Sequence, residues 1–125
     1  MAYIKSYKEL IVWQKAIQLV KEVYFLTEKF PKSEIYGLTS QMRRAAVAIP
    51  SNIAEGYGRK SPKEYLQFYT IAYGSALELE TQLIIAKGLN FVKVEYFKEV
   101  DRLLEEVLKM LNSMIAKMKK LNARR

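Results

Sequence analysis

Residues 43–60 read RRAAVAIPSNIAEGYGRK, and this stretch decides the fold. An arginine pair opens a face of small residues, Pro50 interrupts it, and Gly56 and Gly58 close it together with Arg59 and Lys60. Around it, Ile35, Leu38, Met42, Ala45, Ile49 and Ile53 recur at the three- and four-residue spacing of one helix face. The stretch is therefore a helix with a proline inside it. Pro50 lacks an amide hydrogen and its ring clashes with the carbonyl of Ala46, which predicts a kink. Ser51 and Asn52 can restart the turn, while Asn52 and Glu55 stand where the proline exposes backbone groups. The two glycines end the helix.

Working outward, three more helices appear. The first is predicted over about Tyr7 to Lys29 and carries two apolar stripes. One is Leu10, Trp13, Ile17, Val20 and Tyr24; the other is Val12, Ala16, Leu19, Val23, Leu26 and Phe30. Their apolar arc covers roughly half the cylinder. One stripe can face a monomer core and the other needs a partner, so Val12, Ala16, Leu19 and Val23 are assigned to contact a second copy. Phe30-Pro31-Lys32-Ser33 ends this helix and offers Ser33 as the next N-cap. Ser61-Pro62-Lys63-Glu64 supplies an N-cap serine, a proline at the first helical position and a glutamate three residues on, which is a capping box. The third helix follows, with Tyr65, Phe68, Ala72, Leu79, Leu83 and Ala86 on one face. Its stretch Ala72-Tyr73-Gly74-Ser75-Ala76 lets another helix come close. Residues 88–93 connect to the fourth helix, whose Phe97, Val100, Leu104, Val107, Leu111, Met114, Met118 and Leu121 alternate threes and fours without a break. No period-two pattern competes. Long helices with short connections predict an all-α, antiparallel up-down-up-down four-helix bundle spanning residues 1–125 as one domain, with 119–125 a frayed basic tail.

Composition narrows the chemistry. The chain has no Cys, which removes thiolate catalysis and thiolate metal sites, and no His, which removes the commonest general base. Bundle di-metal sites use Glu-x-x-His, so neither a metal nor a cofactor is expected. Glu78 and Glu80 do not share a helix face. Glu95 with Glu99 and Asp101 with Glu105 do, but Lys98, Arg102 and Lys109 interleave with them as in surface ion pairs. No apolar run reaches the ~20 residues that span a bilayer, and no leader-like segment opens the chain, so a soluble cytoplasmic protein is expected.

The net charge of +8 is uneven. Residues 107–125 hold Lys109, Lys117, Lys119, Lys120, Arg124 and Arg125 without an acid, giving +6, and residues 41–63 add +4. Clustered positive charge favours a polyanion, nucleic acid first.

LIVWQKA (10–16), YGLTSQMRRAAVAIPSNIAEGYGRKSPKEY (36–65) and IAYGSALELETQLIIA (71–86) give the chain a further likeness. It resembles the bacterial four-helix-bundle family of 23S rRNA intervening-sequence proteins, whose relatives include the accessory variability determinant of diversity-generating retroelements. The resemblance implies a homopentameric ring, nucleic-acid binding through a basic surface and, within retroelements, a reverse transcriptase as protein partner. It implies no established enzymatic activity.

Two readings stand at each candidate site. Arg43 and Arg44 either grip phosphates or pair with Glu78 or Glu80, within or between subunits. The corner Glu55–Lys60 either seats a phosphate on free glycine amides or is a plain helix cap with solvated charges. Tyr65, Tyr69 and Tyr73 either stack bases or pack at a helix or subunit interface. The nucleic-acid set is Arg43, Arg44, Arg59, Lys60, Lys63, Lys117, Lys119, Lys120, Arg124 and Arg125. The function expected is a non-enzymatic, oligomeric accessory protein binding RNA or DNA with weak sequence preference. The alternative is a ring that docks a partner enzyme.

Overall fold

The computed structural model describes residues 5–124, so the expectation for Arg125 lies outside the described residues. Four helices follow one another: α1 (Ile11–Thr27), α2 (Leu38–Tyr57), α3 (Pro62–Gly88) and α4 (Lys98–Ala123). Short 3-10 turns precede α1, α2 and α4 at Tyr7–Glu9, Lys32–Glu34 and Val94–Phe97. Each helix packs against its two neighbours in the order α1, α2, α3, α4 and back to α1. This is the antiparallel four-helix bundle. Among the described residues no helix is long and apolar enough to cross a membrane.

The core is filled by one stripe from each helix. Leu19, Met42, Leu79 and Leu111 are among the residues buried at its centre. Val12, Ala16, Leu19 and Val23 are at most 4% exposed inside the chain's own core, so they cannot contact a second copy. The stripe left outside is the other one: Trp13, Ile17 and Val20 are half-buried and Tyr24 is exposed. The two stripes exchange their expected roles, because α2 and α4 close over the aliphatic one. Tyr69 is likewise buried, with its ring stacked on Tyr65 at 6.3 Å between centroids, and so is unavailable to a partner; Tyr65 and Tyr73 are half-buried against the core.

Local signals fare differently. Ser61 caps α3 as its sequence implies, its hydroxyl accepting from Glu64 N at 3.2 Å. Ser33 does not cap α2; the carboxylate of Glu34 accepts from Leu38 N at 3.0 Å and does that work from inside the preceding turn. The helix α2 runs on through Pro50 to Tyr57. Beside the proline, Ser51 Oγ donates to Val47 O at 2.8 Å and Asn52 Nδ2 to Ala48 O at 2.8 Å. These side-chain bonds serve carbonyls next to the one Pro50 leaves without an amide. Past α3, Asn90 takes the left-handed conformation, φ 56°, which asparagine tolerates better than most residues. At the end of the chain, α4 stays helical through Ala123 among the described residues.

Candidate nucleic-acid interface

Two contacts gather distant parts of the chain at one end of the bundle. Asn122 Nδ2 donates to Pro62 O at 3.2 Å, pinning the last turn of α4 to the first turn of α3. Tyr7 meets Tyr57 edge-on at 6.5 Å and Trp13 at 5.3 Å, which brings the start of the chain to the end of α2. Exposed cations from three segments converge there: Lys5 and Lys8, then Arg59, Lys60 and Lys63, then Lys117, Lys119, Lys120 and Arg124. The acids nearby are Glu9, Glu55 and Glu64. Among the described residues, none of these nine cations enters an ion pair with a side chain. Both α2 and α4 end here, and the negative ends of their helix dipoles favour cations.

Within this basic end, geometry sorts the side chains. The Arg59 guanidinium lies 5.0 Å from the centroid of the Phe68 ring, a cation–π contact that holds it against α3 while leaving it exposed. On α4, Lys117, Lys120 and Arg124 fall at i, i+3 and i+7 on one face, and Lys119 lies on another. The Tyr69 phenol sits beneath the corner, its pKa pushed up by burial and then by Tyr65 and Tyr57.

The amides of Gly58 and Arg59 are not free for a phosphate. Gly58 N donates to Ala54 O and Glu55 O, both at 3.2 Å, and Arg59 N donates to Gly56 O at 3.0 Å. Gly58 is right-handed, with φ −72° and ψ −11°. Gly56 serves packing instead. A Cβ placed there would come within 2.8 Å of Phe68 Cβ, so only glycine lets α2 and α3 approach this closely. Nothing in the sequence pairs Gly56 with Phe68, since they lie on different helices.

Arg43 and Arg44 are not part of this end. They stand sixteen and fifteen residues before Arg59, about 22–24 Å away along the helix axis. Arg43 Nε donates to Thr27 Oγ1 at 2.9 Å, and its guanidinium lies 4.5 Å from the Tyr24 ring. Arg44 is exposed. Neither pairs with Glu78 or Glu80 of its own chain among the described residues.

Residues 8–113 match the family described as 23S rRNA-intervening sequence protein. The chain belongs to that family. The matched span holds the whole α2–α3 corner, including Arg59, Lys60 and Lys63, and stops short of the cations at the end of α4. Among solved structures, it is similar to a protein of unknown function from the S23 ribosomal protein family of Bacteroides thetaiotaomicron. The TM-score is 0.75 at 20% identity, over 84% of this chain and 98% of that one. At that identity the likeness speaks for the fold. A search of curated proteins gave no match.

The opposite end of the bundle is built differently. Lys87 Nζ bonds Asp101 Oδ2 at 2.7 Å and lies 5.4 Å from the Phe97 ring, and Lys29 sits 5.4 Å from the ring of Tyr96. Arg102 bonds both Glu99 and Glu106, as the interleaved charges of α4 imply. On the flank, Lys15 reaches Glu106 at 2.8 Å, and this bond, with the charge of Arg102, holds the Glu106 carboxyl below its usual range.

Proposed function

We propose that this protein is a non-enzymatic, self-associating accessory protein that binds nucleic acid through its basic end. One observation carries the reading: nine exposed cations from three chain segments meet three carboxylates at one end, with no ion pair among them in the described residues. Side chains left unpaired in this way stay free to displace counterions from phosphates. Contacts of this kind position a ligand without reading bases, so binding is weakly sequence-specific. The family's name, which refers to an insertion in 23S rRNA, makes RNA the first ligand to try. The resemblance to retroelement accessory proteins extends the reading to a pentameric ring in the cytoplasm.

A second reading, a module that docks a protein such as a reverse transcriptase, is favoured by Leu89, Val94 and Tyr96. These lie at the far end from the cations, and Val94 is 72% exposed. The test is equilibrium binding of the purified chain to RNA and DNA oligonucleotides of unrelated sequence, over a salt series from roughly 50 to 300 mM that spans the steep range of counterion release. Affinity that falls steeply with salt and alike for all sequences is the expected result. No binding at the lowest salt sinks the nucleic-acid reading.

A further inference from the structure

The helix α3 is apolar on more than its buried side. Opposite the core, Ile71, Gly74, Glu78, Thr81 and Ile85 follow each other at spacings of three, four, three and four, and all are exposed. That is the spacing of a helix-packing seam, and no element among the described residues covers it. Thr81 turns its hydroxyl back onto Leu77 O at 2.9 Å, which engages that donor within its own helix. An added Cβ at Gly74 would meet nothing within 4 Å.

A matching seam lies on the outside of α2. Ser40, Arg44, Val47, Ser51 and Ala54 step by four, three, four and three, and Ser51 also turns its hydroxyl onto its own helix. Small side chains there let another helix come close. The half-buried Trp13, Ile17 and Val20 of α1 form the apolar flank of the same groove.

The two seams agree in height and charge. At 1.5 Å per residue from the α2–α3 corner, Val47 lies ~15 Å up α2 and Ile71 ~14 Å up α3; Arg44 lies ~20 Å up and Glu78 ~24 Å. Arg44 has no ion-pair or hydrogen-bond partner among the described residues, and Glu78 accepts only from Gln82, at 3.2 Å. Because α2 and α3 are antiparallel within a chain, two copies with parallel axes set these seams side by side in register. Glu78 and the aliphatic residues of α3 make its outer seam unsuited to a phosphate backbone, and the matching seam of a second copy fits it.

We propose that α3 of one copy docks in the α1–α2 groove of the next, with Glu78 facing Arg44. The two surfaces differ, so the contact is heterologous and repeats from copy to copy, closing into a ring when the rotation allows. The proposal rests on the self-association named above and assigns Arg44 to it rather than to nucleic acid.

The chain has no cysteine, which makes the pairing directly testable. Val47→Cys and Ile71→Cys variants, mixed without nucleic acid and oxidised, are expected to form a disulfide-linked dimer, whereas either alone is not. Light scattering of the full chain should show that Arg44→Glu and Glu78→Arg each lower the particle mass at least twofold. The variant carrying both should regain it. Gly74→Trp, whose side chain enters open space, should keep the helical circular dichroism and lose assembly. A wild type that stays at the 14.6 kDa monomer mass at micromolar concentration overturns self-association itself. An oligomer that survives all three single substitutions, or no cross-link in the mixture, overturns this interface and leaves self-association standing.

Discussion

The two ends of this bundle have similar numbers of charged side chains and different net charge, one strongly positive and the other balanced. At the far end Lys29, Lys32, Lys87, Lys93 and Lys98 are balanced by Glu28, Glu34, Glu95, Glu99 and Asp101. There, charges are used locally: Lys87 is held by Asp101, Lys29 lies over Tyr96, and Glu34 caps α2. At the basic end the cations have no such acidic partners among the described residues, and Arg59 leans on the ring of Phe68 instead. The difference teaches that net charge says little until the fold decides which charges share a surface. The corner and the end of α4 are more than fifty residues apart in sequence, and the Asn122–Pro62 bond joins them.

The largest test of the contrast is to neutralise each end in turn. Arg59, Lys60 and Lys63 replaced together by glutamine should weaken nucleic-acid binding on the order of tenfold or more at moderate salt. The salt slope on duplex DNA should become shallower by about 3, because each phosphate that a side chain neutralises adds about 0.9 to its steepness. Glutamine at Lys29, Lys32 and Lys93 should leave both quantities unchanged. Equal weakening by the two triple substitutions, read by fluorescence anisotropy, would dissolve the distinction between the ends.

A second test strains the basic end from inside. Gly56→Leu forces α2 from α3 at Phe68 and should cost about 1–3 kcal/mol in chemical denaturation, the range of overpacked cores. Unchanged stability would mean the close approach of the two helices is incidental. Ser61→Ala removes the cap at the same corner and should cost about 1 kcal/mol, with Ser61→Asn restoring most of it. The smallest effect belongs to the far end. Asp101→Asn breaks a pair whose side chains are a third to a half exposed, so solvent screening limits its cost to about 0.5 kcal/mol or less. That cost should vanish at roughly molar salt, where screening acts within a few ångströms.

Much of the fold is legible in the sequence, for reasons that particular residues make plain. The four helices follow from apolar spacing, and Ser61 caps α3 because its signal is complete within four residues. Spacing shows that α1 has two apolar stripes, but choosing the inner one requires knowing what α2 and α4 present. Without that knowledge Val12, Ala16, Leu19 and Val23 fall on the wrong side. Ser33 is a reasonable cap by residue type; Glu34 has the longer reach and takes the amide. The basic site is half legible. Its cations are clustered in sequence, yet Arg43 and Arg44 belong to a different surface, because a helix carries residues 43 and 59 far apart. The glycine corner misleads for a simple reason. Glycines permit open amides, and here ordinary helix-end hydrogen bonds engage them.

Phe68 meets Gly56 through its Cβ and carries Arg59 on its ring. One residue therefore belongs to the interior and to the proposed contact surface at once. A larger side chain at position 56 would tilt the plate on which the guanidinium rests, even though position 56 itself is buried. Substitutions at this spot are thus screened twice, for what they do to packing and for where they leave a charge. The address of a surface cation is written by a missing methyl group within.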